Sequence, residues 1–204
     1  MKMISSGFSD ISILKPDEKK SEFRRIKERF QIDQNTAVGK MPLFMFEGEI
    51  FIEREKTLAG MYFQREHDWY AQLIRCSLGS VFLAALDIRK ESKTFGKSKL
   101  FYISEENEVA IYLPQGFAVG YLTKKENSML IIKTEKRYEA KKELNINPLD
   151  PKLNIRWPEQ SFYISAKDRY APDFSEVERI ILTEKIEEFF FVEDIYGKPQ
   201  NLSQ

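Results

Sequence analysis

Acid–base work near neutral pH is served best by side chains that titrate there, and this chain holds few. It contains one histidine, His67, and one cysteine, Cys76. A single imidazole excludes both a histidine pair for acid–base work and a metal site built from several imidazoles. A mixed site of His67 with carboxylates finds no ligand spacing in the flanking sequence, so neither a metal nor a cofactor is expected. His67 lies in the polar stretch "REHDWYA". It reads there as a solvated turn residue, with a base reaching over a pocket mouth as the alternative. Trp69 and Tyr70 of the same stretch read as a lid or as packing aromatics, against a role in stacking on a ligand. Anion binding would fall to the basic run "EKKSEFRRIKERF", where Arg24 and Arg25 are the candidates for a phosphate. Such runs are more often solvated faces.

The elements that must position such groups are strands. From about residue 43 the chain is a series of short apolar runs separated by polar or glycine-containing turns: "LFMFEGEIFIE", "LAGMYFQ", "AQLIRCSLGSVFLAALDIR", "SKLFYIS", "EVAIYLP", "FAVGYLTK" and "SMLIIKTEKRY". The turns "SLGS" and "LPQG" punctuate them. Many short strands without intervening helices predict an antiparallel sandwich or jelly roll. The segment "KPDEKKSEFRRIKERF" is helical by propensity, with Phe23, Ile26 and Phe30 on one face, or an edge strand with basic residues outward. The tail "SEVERIILTEKIEEFFFVEDIYG" opens with Ser175 and Glu178 at capping-box spacing. Val177, Ile180 and Ile181 share one helical face, and Ile186, Phe189 and Phe190 share another. A helix or two short elements packed on the sheet or on a partner are predicted, followed by a frayed "KPQNLSQ".

The 204 residues suffice for one substantial domain, and 42% apolar with 31% charged residues fits an ordinary globular chain. The 32 basic and 32 acidic residues balance, so nothing draws the chain to nucleic acid or to an anionic membrane. No apolar run reaches the roughly 20 residues that span a bilayer, and "MKMISSGFSD" lacks a signal-peptide core. With Cys76 unable to form an internal disulfide, a reducing, cytoplasmic setting is expected.

Five segments carry a resemblance: "LIRCSLGSVFLAALDIRKESKTFG", "YISEENEVAIYLPQGFAVGYL", "YEAKKE", "LDPKLNIRWP" and "ISAKDRYAP", in this order. Together they resemble the dTDP-4-dehydrorhamnose 3,5-epimerases, from about Ile13 to about Pro172. The block "DIRKESKTFG", Asp87 to Gly96, followed by "LPQGFA", is the most specific part. The resemblance implies an all-β, cupin-like jelly roll over residues 1–174 and a homodimer, and the short, helical C-terminal extension over 175–204 lies outside it. It implies chemistry beside the C4 ketone of a nucleotide-linked sugar. There a histidine base, oriented by an aspartate, removes a proton, a tyrosine acid returns one to the other face, and a lysine helps the enolate oxygen.

Carried over position by position, most of that chemistry is missing. In "AGMYFQ" Gly60 and Gln64 match, but Ala59 stands for a phosphate-binding arginine and Tyr62 for the histidine base. Gln72 in "AQLIR" takes the place of the lysine, and Leu83 in "SVFLAALD" that of a pocket aspartate. Val119 replaces a histidine, and Ile132 in "LIIK" replaces the tyrosine acid. Phe23 in "SEFR" falls where a second phosphate-binding arginine would be. The orienting aspartate survives as Asp168, and Tyr138 matches an aromatic near the nucleotide end. Among the other matches are Arg75, Gly79, Asp87, Arg89, Gly96, Asn107, Pro114, Gly116, Gly120 and Trp157, which are residues that hold a fold.

Leu83, Val119 and Ile132 replace polar groups facing one cavity, and burying each aliphatic contributes roughly 1.5–3 kcal/mol. The site is therefore expected to have closed partly into core. A phenol with a pKa of about 10 is almost wholly protonated at pH 7, so Tyr62 is expected to fill space and to donate its hydroxyl to Asp168 or to solvent. Three functions stay open. The first is a diverged, non-catalytic homologue that binds a dTDP-linked or other nucleotide sugar of a surface-polysaccharide or deoxysugar pathway. The second is an enzyme acting on an unusual 4-keto sugar through Tyr62, Asp168 and His67. The third is a structural or interaction protein with the C-terminal tail as its interface.

Overall fold

Why one strand of this chain is apolar at nearly every position, while another alternates, follows from what covers each sheet. The computed structural model describes residues 2–20, 25–28, 41–65 and 68–183. Two antiparallel sheets face each other as the expected jelly roll. The first runs, edge to edge, β1 (Lys2–Ser5), β2 (Ser12–Lys15), β10 (Ala110–Leu113), β7 (Gln72–Leu78), β12 (Ser128–Thr134) and β5 (Phe46–Ile52). The second runs β13 (Glu143–Asn145), β6 (Thr57–Gln64), β11 (Phe117–Thr123), β8 (Ser80–Asp87) and β9 (Ser98–Ser104), with β14 (Tyr163–Ile164) pairing parallel to β6. Every apolar run read as a strand from residue 43 onward forms one. Helix α1 (Ala166–Arg169) and helix α2 (Phe174–Thr183) follow. No helix among the described residues is long and apolar enough to cross a membrane.

The second sheet is buried on both faces. Val81, Leu83 and Ala85 of β8 point into the core between the sheets, beside Ile74, Cys76 and Ile111. Their neighbours Ala84 and Leu86 point outward, into a second cluster with Met61 and Phe63. Phe174, Val177 and Ile181 of α2 cover that outer face, which is why the run "SVFLAALD" needs no polar alternation. A third cluster, with Leu14, Leu73 and Tyr112, backs the first sheet.

One expectation is corrected and one pair of alternatives is decided. Of the two readings of the charged segment near the N-terminus the strand holds, with β3 (Asp17–Lys20) and β4 (Arg25–Glu28) paired antiparallel. The register sets Glu18 against Lys27. Phe23, Phe30, Ile186, Phe189 and Phe190 lie outside the described residues. The capping box at Ser175 does not form as read, since α2 already begins at Phe174. The Phe174 amide is taken instead by the Asp150 carboxylate, Oδ2, at 2.7 Å. The face of Val177, Ile180 and Ile181 is buried as expected. Strands β1, β2, β13 and β14 and the short α1 were not predicted.

Where β6 crosses β11 the backbones nearly touch. A Cβ on Gly60, at φ +120°, would stand 2.4 Å from the Gly120 Cα, and the register of β11 against β6 shifts between Val119 and Tyr121. Only glycine fits there.

The motif "DIRKESKTFG" is a loop wound around one carboxylate. Asp87 has no exposed surface. Its Oδ1 accepts from the Arg89 backbone N–H (3.0 Å) and from Arg89 Nε (2.9 Å). Its Oδ2 accepts from Arg89 Nη2 (2.7 Å), Ser92 Oγ (2.7 Å) and Thr94 Oγ1 (2.6 Å). Arg89 also reaches Asp10 at 2.9 Å, tying down the loop before β2. Burial alone would raise the carboxyl's pKa. Its hydrogen bonds from Arg89, Ser92 and Thr94 outweigh burial and hold it below the usual carboxylate range.

A carboxyl depressed in the fold stabilises it above the unfolded value, about 3.9, and that contribution disappears as pH falls through the folded value. Urea titrations of Asp87→Asn should therefore show a loss of about 3–5 kcal/mol at pH 7. They should also show a shallower decline of stability below pH 5 than in the parent protein. Parallel acid limbs would contradict this assignment.

Candidate functional site

Side chains at alternate positions of one strand share a face, so the inward positions of five strands define the space between the sheets. Tyr62 and Gln64 of β6, Gln72 and Ile74 of β7, Leu83 of β8, Val119 and Tyr121 of β11, and Ile132 of β12 all line one cavity of about 700 Å³. The expected partial closure into core has left this cavity open. Leu83 and Val119 are packed into the inter-sheet core with Ile132 against that cluster, and all three also line the cavity wall. Sheets held about 10 Å apart by their other contacts leave space between short aliphatic chains. A cavity of this size is in the range that takes small-molecule ligands.

The orienting carboxylate and its phenol are built from three elements. Ser165 caps α1, its hydroxyl accepting from the Asp168 amide at 3.1 Å and donating to Asp168 Oδ2 at 2.7 Å. Strand β13 sets Asn145 opposite Tyr62, and Asn145 Nδ2 lies 3.5 Å from Asp168 Oδ1. Tyr62 donates its hydroxyl to Asp168 Oδ2 at 3.0 Å, the partner expected from the sequence. Asp168 is 2% exposed, so its charge is met by these donors in place of water. Burial, and then the Asp168 carboxylate, push the Tyr62 phenol well above the usual range. The Lys167 ammonium lies 5.3 Å from the Tyr62 ring centroid but is engaged by Glu143 at 2.7 Å.

Tyr121 is the residue that the sequence reading passed over. It sits two positions from Val119, so the same alternation that places Val119 in the cavity places Tyr121 there. Burial, Asp168 and Glu143 push its phenol up to about 12. The strand register fixes depth: Val119 pairs with Tyr62 and Tyr121 with Ala59, putting Tyr121 further from the mouth than Tyr62. Ala59 itself is buried.

The mouth is aromatic and charged. Trp69, Tyr70, Arg137, Tyr138 and Glu143 border it. Tyr138 is 50% exposed and hydrogen-bonds Glu143. Burial, with Glu143 nearby, lifts Tyr70 to about 12. Lys142 is engaged by Asp68 and Glu139, each at 3.1 Å. Trp69 and Tyr70 thus stand at the cavity, where both the lid and the stacking reading need them. His67 and Arg24 lie outside the described residues, and for Arg25 only its backbone place on β4 is described. Among the described residues no group of three or more His, Cys, Asp or Glu side chains is placed to hold a metal.

The family model for dTDP-4-dehydrorhamnose 3,5-epimerase matches residues 6–176. The dTDP-4-dehydrorhamnose 3,5-epimerase of Salmonella typhimurium is 32% identical over 177 residues, covering 84% of this chain and 94% of that protein. That of Shigella flexneri is 31% identical over 182 residues, covering 89% and 100%. Among solved structures, the dTDP-4-dehydrorhamnose 3,5-epimerase of Elizabethkingia anophelis superposes with a TM-score of 0.81 at 27% identity, covering 86% of this chain and 97% of its own. The dTDP-6-deoxy-D-glucose-3,5-epimerase of Legionella pneumophila, solved in complex with dTDP-4-keto-L-rhamnose, also gives 0.81, at 26% identity with 88% and 96% covered.

Removing the Tyr62 hydroxyl strips a buried carboxylate of one donor while the ring keeps its packing. Tyr62→Phe should cost about 1–2 kcal/mol in urea unfolding at pH 7. A change below about 0.3 kcal/mol would mean that Asp168 does not depend on the phenol.

Proposed function

The chain belongs to the dTDP-4-dehydrorhamnose 3,5-epimerase family, and from that premise we propose that it binds a nucleotide-linked sugar of a deoxysugar or surface-polysaccharide pathway without inverting it. The observation that carries this reading is the Tyr62–Asp168 hydrogen bond inside an open cavity. Tyr62 stands where the family's base would be and holds its one proton toward the carboxylate. An ordinary phenol is only about 0.1% ionised at pH 7, and burial beside Asp168 lowers that fraction further. The Lys167 ammonium beside the Tyr62 ring is bound to Glu143 and does not offset this. Across the cavity Ile132 has no proton to return. Both halves of a base–acid pair are thus missing from the positions that would hold them.

The open cavity favours a binding protein over a purely structural one, since a scaffold kept only for assembly has no use for an unfilled core. The Tyr138 ring and the Arg137 guanidinium at the mouth suit a base and a phosphate. We further propose a homodimer. Strand β5 is an edge of the first sheet, and its Phe51 is 55% exposed, which an unprotected edge seldom tolerates. A reducing, cytoplasmic setting completes the proposal, with Cys76 a buried free thiol.

Incubation with dTDP-4-keto-6-deoxyglucose in D₂O, followed by NMR, separates binder from enzyme. No deuterium should enter C3 or C5 above the rate without protein, while dTDP raises the melting temperature. The Tyr62→His, Ile132→Tyr double variant should begin to exchange. Rapid exchange by the parent protein that vanishes in Tyr62→Phe would establish the enzyme reading in its place.

A further inference from the structure

The inner end of the cavity has an unusual division of polarity. Tyr121 is half-buried in its wall, and with no hydrogen bond to its hydroxyl among the described residues its proton is left for the cavity that it lines. Tyr62 has committed its proton to Asp168 and toward the cavity can act only as an acceptor. Asp168 is already engaged by Tyr62, Ser165 and Asn145. The remaining deep wall, Ile74, Leu83, Val119, Leu130 and Ile132, is hydrocarbon. Gln64, Gln72 and Thr134 lie at strand ends toward the mouth, where Gln64 Nε2 donates to the Glu139 carbonyl at 3.4 Å and the Thr134 hydroxyl to the Lys136 carbonyl at 2.7 Å.

We propose that this inner end selects an uncharged, extensively deoxygenated ring bearing one carbonyl oxygen, which accepts a hydrogen bond from Tyr121 while the hydrocarbon wall packs the rest. The inference rests on the reading of the cavity as a nucleotide-sugar site and adds the kind of ring it takes. A second or third ring hydroxyl would be stripped of water with only the Tyr62 oxygen to receive it. Each unpaired hydroxyl should weaken binding by about 10-fold. An anionic group is disfavoured as well. The Asp168 and Glu143 carboxylates stand nearby, and Lys167 and Lys142 are tied into ion pairs at the rim.

Isothermal titration of the full chain with a dTDP-linked 2,3,6-trideoxy-4-ketohexose and with dTDP-glucose reads this preference directly. The trideoxy ketone should bind at least 10-fold more tightly, and Tyr121→Phe, which keeps the ring and its packing, should erase about 10-fold of that advantage. Leu83→Asn should move the preference toward dTDP-glucose. Equal affinities for the two compounds, or no effect of Tyr121→Phe with the melting temperature unchanged, would overturn the inference and leave the proposed function standing. A parallel NMR titration with 4-methylcyclohexanone separates the two ideas further. If it saturates in a Tyr121-dependent way while neither nucleotide sugar binds, the nucleotide reading fails and the ring selectivity holds. If the ketone does not bind either, the ring selectivity fails with it.

Discussion

A carboxylate with no access to water must be surrounded by donors, and Asp87 draws its whole neighbourhood into place to meet that demand. Arg89 supplies three of its hydrogen bonds, and Ser92 and Thr94 two more. The same guanidinium lies 4.6 Å over the Phe117 ring, which lines the cavity. Gly116 is squeezed so closely against Arg89 and Trp69 that a side chain there would collide with both. The end of β8, the start of β11 and the aromatic mouth are therefore indexed to one buried charge. Such a pair adds little net stability over a hydrocarbon substitute, but losing one partner is expensive. Its value here is geometric, since it sets where the walls of the cavity begin.

Much of this was legible from residue types. The strands from residue 43 onward announced themselves because their apolar runs are short and bounded by glycine or polar turns, as at Gly79 and Gly116. What escaped were elements that owe their form to partners distant in sequence. Strand β13 is three residues long and exists because β6 offers it an edge. Helix α1 is a single turn held by the Ser165 cap. The start of α2 is set by Asp150, more than twenty residues upstream, so the local Ser175–Glu178 spacing misled.

The site divides in the same way. The Tyr62–Asp168 contact could be foreseen because a buried carboxylate that has lost an imidazole must find another donor. Closure of the cavity could not be judged by counting apolar substitutions, since whether hydrocarbon walls meet depends on the spacing of the sheets, a property of the entire frame. Tyr121 was overlooked for a simpler reason. Tyr121 replaces nothing, keeps its polar atom and shows its orientation only through strand parity with Val119.

That parity has a bearing on how such a protein changes over time. On β6, β8 and β11 the odd and even positions report to separate compartments: one row faces the vacant interior and the next anchors the outer layer under α2. Drift in the first row leaves the second almost undisturbed. A lineage can thus rewrite its chemistry while its architecture stays put, and a laboratory library confined to the interior row would inherit the same freedom.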